Sequence, residues 1–159
     1  MFGKILVALK FSPSGLNAID LAVRLSQAHG ARLYVFHALD CHFKDLDDDD
    51  PKMNAVLTAV QQRIESDLTP RLAGTSAVAI DYFPADPALE VCRIAGNIGA
   101  DLIVVGCHQP HRRYSLGRVD YIGMTILEKA PCAVLLVPLI EPAGDAPFPD
   151  QPGPGQTLL

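Results

Sequence analysis

The chain has no Cys-x-x-Cys pair, no Gly-x-Ser-x-Gly elbow, no EF-hand spacing and no apolar run long enough to cross a bilayer. Each absence removes a class of function. Four cysteines, Cys41, Cys92, Cys107 and Cys132, stand without paired spacing, so free and mostly buried thiols are expected instead of a disulfide framework or a zinc ribbon. Without the nucleophile elbow, Ser12 and Ser14 read as helix-capping residues, and no His and carboxylate are placed to complete a triad. The opening MFGKILVALKF is too short in its apolar run for a signal peptide and carries a lysine on either side of that run, which leads us to expect a soluble, cytoplasmic protein. Excess positive charge is missing too. Thirteen Lys and Arg against 18 Asp and Glu give a formal charge of −5, so no electrostatic footprint for nucleic acid or an anionic membrane is present. Small molecules or proteins are the expected partners.

What is there is an alternation. With 159 residues, 49% of them apolar, one domain can bury a substantial core. KILVALK reads as a strand, and SPSGLNAIDLAVRLSQAHG follows with Ile19, Ala22, Val23 and Ser26 at helical spacing before a capping glycine. The same pairing recurs: ARLYVFHAL, then a helix from about Pro51 to Ala73 with Val56, Leu57, Val60, Ile64 and Leu68 on one face. AVAIDYF is followed by PALEVCRIAGNIGA, DLIVVG by a helix from about Arg118 to Lys129, and CAVLLVPLI closes the series. Alternating strands and helices argue for a three-layer α/β/α sandwich on a five-stranded parallel sheet.

Two stretches break the rhythm. DCHFKDLDDDDP, residues 40–51, carries Asp40, Asp45, Asp47, Asp48, Asp49 and Asp50; it reads as a solvated connection in which Asp50 before Pro51 caps the second helix. No glycine and terminal glutamate stand at the offsets a calcium loop requires. After Ile140 the composition becomes dense in proline and glycine, so the expected division is a domain over 1–140 and a tail over 141–159 without a packed element.

In this order and spacing, KILVALKFSPSGLNAIDLAVRLSQAHGARLYVFHAL, GADLIVVGCH and ILEKAPCAVLLVP resemble the universal stress protein family from about Gly3 to Leu139. The resemblance implies strand order 3-2-1-4-5 (the adenine nucleotide alpha hydrolase-like arrangement) and dimerisation through the fifth strand. Its nucleotide-binding branch carries Gly-x2-Gly-x9-Gly-Ser/Thr after strand 4. Here Gly106 holds the first position and Gln109 the second, while the third glycine and its hydroxyl partner fall near Val119, Asp120 and Tyr121. Lys10 stands where the family usually has an aspartate at the end of strand 1. The motif is therefore degenerate and resembles the branch that does not bind ATP.

In that strand order, Lys10 and Gly106 should face one crevice at the switch point between strands 1 and 4. Its expected lining is Ala8, Lys10, Phe36, Val105, Gly106, Gln109, Asp120, Tyr121 and Ile122. Gln109 and Asp120 place bulk and negative charge where a triphosphate would run. One alternative is a modified anion pocket in which Lys10, Arg112, Arg113 or Arg118 holds AMP or another phosphorylated ligand. The other, preferred, is an unliganded loop whose arginines are solvated. Cys107, His108 and His111, with His37 or His42, do not match a common zinc spacing, so no metal site is expected. Cys107 is expected to be a modestly accessible thiol, and Glu90 and Asp101 a helix-surface charge and a strand-entry residue. The expectation is a non-enzymatic regulatory or interaction module with no cofactor, the alternative being an ATP or AMP sensor. It should form a homodimer through Val134, Leu136, Pro138 and Ile140 and act on an unknown protein partner.

Overall fold

Lys4–Ala8 (β1) has its interior residues wholly out of solvent: Ile5, Leu6 and Val7 are each at most 1% exposed. That burial on both sides is what a central strand of a parallel sheet requires, and it explains the unbroken apolar run. The computed structural model describes residues 1–47, 49–75, 78–107 and 121–139. Its further elements are α1 (Pro13–His29), β2 (Arg32–Leu39), a 3-10 turn (Cys41–Asp45), α2 (Pro51–Arg63), a π-helical turn (Ile64–Leu68), β3 (Val78–Pro84), α3 (Pro87–Ile98), β4 (Leu102–Cys107), α4 (Tyr121–Lys129) and β5 (Ala133–Pro138). The strands lie in the order β3-β2-β1-β4-β5, with all neighbours parallel.

Period-two alternation sorts the sheet residues into two cores. Ile5, Val7, Leu33, Val35, Leu102 and Val104 pack with Ala18, Ile19, Ala22 and Val23 of α1 and with Leu68. On the opposite face Leu6, Phe36, Ile103 and Val105 meet Ala88, Val91 and Ala95 of α3 and Ile126 of α4. These are the three layers.

Three helices begin alike. Ser12, Asp50 and Asp86 each accept a hydrogen bond at the N-cap, from the amides of Gly15 (3.3 Å), Lys52 (2.7 Å) and Leu89 (3.0 Å) respectively, and a proline opens each first turn. Proline loses nothing there, since a first-turn amide has no partner within the helix. The second helix is shorter than its periodicity suggests. Pro70 has no N–H with which to continue the helical ladder, and ahead of it the chain widens into a π turn closed by Thr69 N–H donating to Ile64 O at 2.8 Å. Leu68 is thereby wholly buried, and Arg71 just beyond it pairs with Asp20 of α1 at 2.5 Å. No helix among the described residues is long and apolar enough to cross a membrane.

Candidate ligand crevice

The three central strands end in register: Ala8 lies opposite Phe36 on one side and Val105 on the other. Beyond these residues the chain leaves β1 for α1 on one face of the sheet, while α4, the element that follows β4, packs on the other, so a crevice opens between them. It encloses about 280 Å³. Its floor is apolar, formed by Ala8, Phe36, Val105 and Gly106 from the strands, Val91 and Pro87 from α3, and Ile122 from α4. Lys10 and His37 supply the polar lining, with Leu9 and Ala38 beside them. A cleft of this kind suits a planar or compact apolar body with one charged end.

Gly106 is a glycine for a reason independent of any ligand. A Cβ there would lie 2.4 Å from the Ser14 carbonyl oxygen and 2.7 Å from the Gly15 amide nitrogen, and one on Gly15 would lie 1.9 Å from the Lys10 carbonyl oxygen. The first turn of α1 is pressed onto the ends of β1 and β4, and only two hydrogens separate the backbones. Ser12 serves as the cap, while Ser14 is buried within that turn at 3.2 Å from the Ser12 hydroxyl. Capping thus accounts for Ser12 only; Ser14 is a packed first-turn residue.

His37 fixes the opposite wall. Its Nδ1–H donates to the Leu9 carbonyl at 2.9 Å, which leaves Nε2 as the acceptor of the neutral ring. Phe11 meets the imidazole edge-on at 4.9 Å, and the Arg63 guanidinium sits 4.8 Å over the Phe11 ring. Burial pushes the His37 pKa down, the bond to Leu9 opposes this, and the Arg63 charge adds to the depression.

Of the residues expected at the crevice, Ala8, Lys10, Phe36, Val105, Gly106 and Ile122 come together. Tyr121 does not line it: adjacent helical residues are turned about 100° apart, and its side chain is 78% exposed while Ile122 faces inward. Gln109, Asp120, Arg112, Arg113 and Arg118 lie outside the described residues, as do His108, His111, Ile140 and the segment 141–159. Leu9, His37, Ala38, Pro87 and Val91 line it as well, beyond the expected set. The Asp86-Pro87 pair could have placed the start of α3 at this end of the sheet.

Cys107 is buried, at 5% exposure, as the last residue of β4, which corrects the expectation of an accessible thiol. Cys92 and Cys132 are half-buried and Cys41 is exposed, so all four thiols are free, as expected, but only Cys107 is fully sequestered. Glu90 is paired with Arg93 on the surface of α3, and the Asp101 carboxylate accepts from the amides of Lys4 (2.9 Å) and Gly3 (2.8 Å), which hold it below the usual carboxylate range. Both are structural charges.

The family model described as the universal stress protein family matches residues 1–138. No curated protein matches the chain. Among solved structures, a universal stress protein family member from Burkholderia pseudomallei is 28% identical, with 86% of this chain and 96% of that one covered and a TM-score of 0.61. UspA from Lactobacillus plantarum is 22% identical over 85% of this chain and 97% of its own, with a TM-score of 0.62. A universal stress protein in complex with cAMP is similar at 20% identity, 86% and 96% coverage and a TM-score of 0.57.

Proposed function

Because the chain belongs to the universal stress protein family, we propose that it is a non-enzymatic stress-response module that acts through protein partners and binds ATP weakly or not at all. The observation that carries this reading is Lys10 at the rim of a crevice of about 280 Å³ with an apolar floor, where the family resemblance implies an aspartate. The cation removes an acceptor for the hydroxyls of a nucleotide, and Gln109 and Asp120 in the sequence alter two more of the motif's positions. The glycine that survives, Gly106, is required by the packing of α1. Its presence is therefore not evidence for a phosphate.

A second reading is favoured by the same lysine. A cation beside an apolar slot complements an adenine with a single phosphate, and a solved relative of the same fold is a complex with cAMP. Under this reading the module is a mononucleotide-responsive switch. Titration calorimetry with MgATP and with AMP separates the two. We expect no MgATP heat at micromolar protein; a micromolar dissociation constant corresponds to roughly 8 kcal/mol and would overturn the first reading. Lys10→Asp combined with Gln109→Gly should then raise ATP affinity, and unchanged affinity would clear both residues as the obstacle.

A further inference from the structure

We propose that the turn at Asp40, Cys41 and His42 is a binding site for a zinc-class divalent cation, held by an Asp40 carboxylate oxygen, the Cys41 thiolate and a His42 ring nitrogen. The three residues stand where the chain leaves β2 and tightens into the 3-10 turn. Asp40 starts that turn by accepting from the His42 amide at 3.0 Å, and the same oxygen lies 2.6 Å from His42 Nδ1. The donor atoms of all three side chains fall within 4.8 Å of one another, and among the described residues this is the one such cluster of histidine, cysteine and carboxylate groups.

Tetrahedral zinc with bonds of the usual length sets its sulfur, nitrogen and oxygen ligands about 3.4–3.6 Å apart. The widest separation must therefore close by about 1 Å, and the Asp40–His42 contact must open by a little less. Side-chain rotation can do both, since the His42 and Asp40 side chains are 88% and 58% exposed and Cys41 is exposed as well. Three protein ligands leave a fourth position for water. Thiolate and carboxylate together match the two positive charges of the ion, and the aspartates that follow, Asp45, Asp47, Asp49 and Asp50, add a field that concentrates cations.

The donor set also selects the metal. A thiolate with an imidazole favours zinc, cobalt, nickel or copper, whereas calcium and magnesium want oxygen alone. On binding, the Cys41 thiol releases its proton to solvent and the Asp40–His42 hydrogen bond is exchanged for two bonds to the metal.

Cobalt(II) titration of the full chain, kept reduced with a phosphine, tests the site. The expected result is a thiolate-to-cobalt charge-transfer band that zinc displaces. Cys41→Ser abolishes the band, Cys132→Ser retains it, and Asp40→Asn and His42→Gln each weaken cobalt binding at least about tenfold. These side chains are exposed, so metal-free circular dichroism and thermal unfolding should be unchanged. Absence of the band in the wild-type chain overturns the proposal, as does a band that survives Cys41→Ser. Equal affinity in the Asp40→Asn and His42→Gln variants would remove those two ligands and the site with them.

Discussion

Gly106, Gly15 and His37 shape the crevice end of the sheet, and an added methyl has opposite consequences at a crowded glycine and at an open one. At Gly106 an added methyl would collide with the Ser14 carbonyl at 2.4 Å, a backbone atom that cannot rotate aside. Gly106→Ala should therefore cost about 1–3 kcal/mol through overpacking. Gly96, exposed near the end of α3, has nothing within 4 Å of its would-be Cβ and no positive φ, so Gly96→Ala should stabilise by about 0.5–1 kcal/mol. Urea unfolding of the two variants checks the opposite signs, and a neutral Gly106→Ala would mean that α1 can back away from β4.

His37 makes stability depend on pH. Its folded pKa lies below the ordinary value of 6.5, mainly through burial, so between the two values the unfolded chain binds the extra proton. Stability from this group is complete above about pH 6.5 and is lost as pH falls from there toward the folded value. His37→Gln should flatten the slope of unfolding free energy against pH in that window. An unchanged slope would transfer the effect to another group.

At the scale of elements, most of the architecture was legible because local and global signals agree. Ser12-Pro13, Asp50-Pro51 and Asp86-Pro87 are each an acceptor followed by a residue preset for the first helical turn, and all three start helices in the structure. Gly30 and Gly99 take the left-handed conformation that ends α1 and α3, with φ of 66° and 62°. The π turn was not legible, since Val60, Ile64 and Leu68 keep a helical spacing that hides the wider turn between them; Pro70 was the available sign. The crevice was half legible. Strand ends in register follow from topology, which brought Ala8, Phe36 and Val105 together, but α3 and α4 contribute residues whose facing depends on tertiary packing. His37 was legible only as a ligand type, because nothing local reveals the bond from its Nδ1 to Leu9.

Across the whole molecule the two edges of the sheet differ, and this carries the last prediction. β3 forms one edge and bears the exposed Asp81 in its middle, an inbuilt deterrent to pairing with another chain. β5 forms the other edge, reads AVLLVP without a charge, and is half-buried over every residue after Ala133. Val134 and Leu136 lean on the α3 and α4 face, Leu135 and Val137 on the α1 face, so neither side of this strand is covered as fully as its composition demands. On the helix that leads into it, Met124 and Leu127 are also exposed, at 43% and 44%. Pairing β5 with its copy across a two-fold axis would satisfy the open backbone groups and bury both apolar faces, the closed symmetry soluble homo-oligomers favour. Pro138, opposite Cys107 at the end of the ladder, lacks an N–H and would bound the paired segment. We therefore expect a dimer in sedimentation analysis at micromolar concentration. Leu136→Lys should yield a monomer with unchanged circular dichroism, because the half-exposed side chain can direct its ammonium group to solvent only when no second strand lies against it. A wild-type chain that sediments as a monomer would show that the bare edge is tolerated, and the argument from its composition would fail.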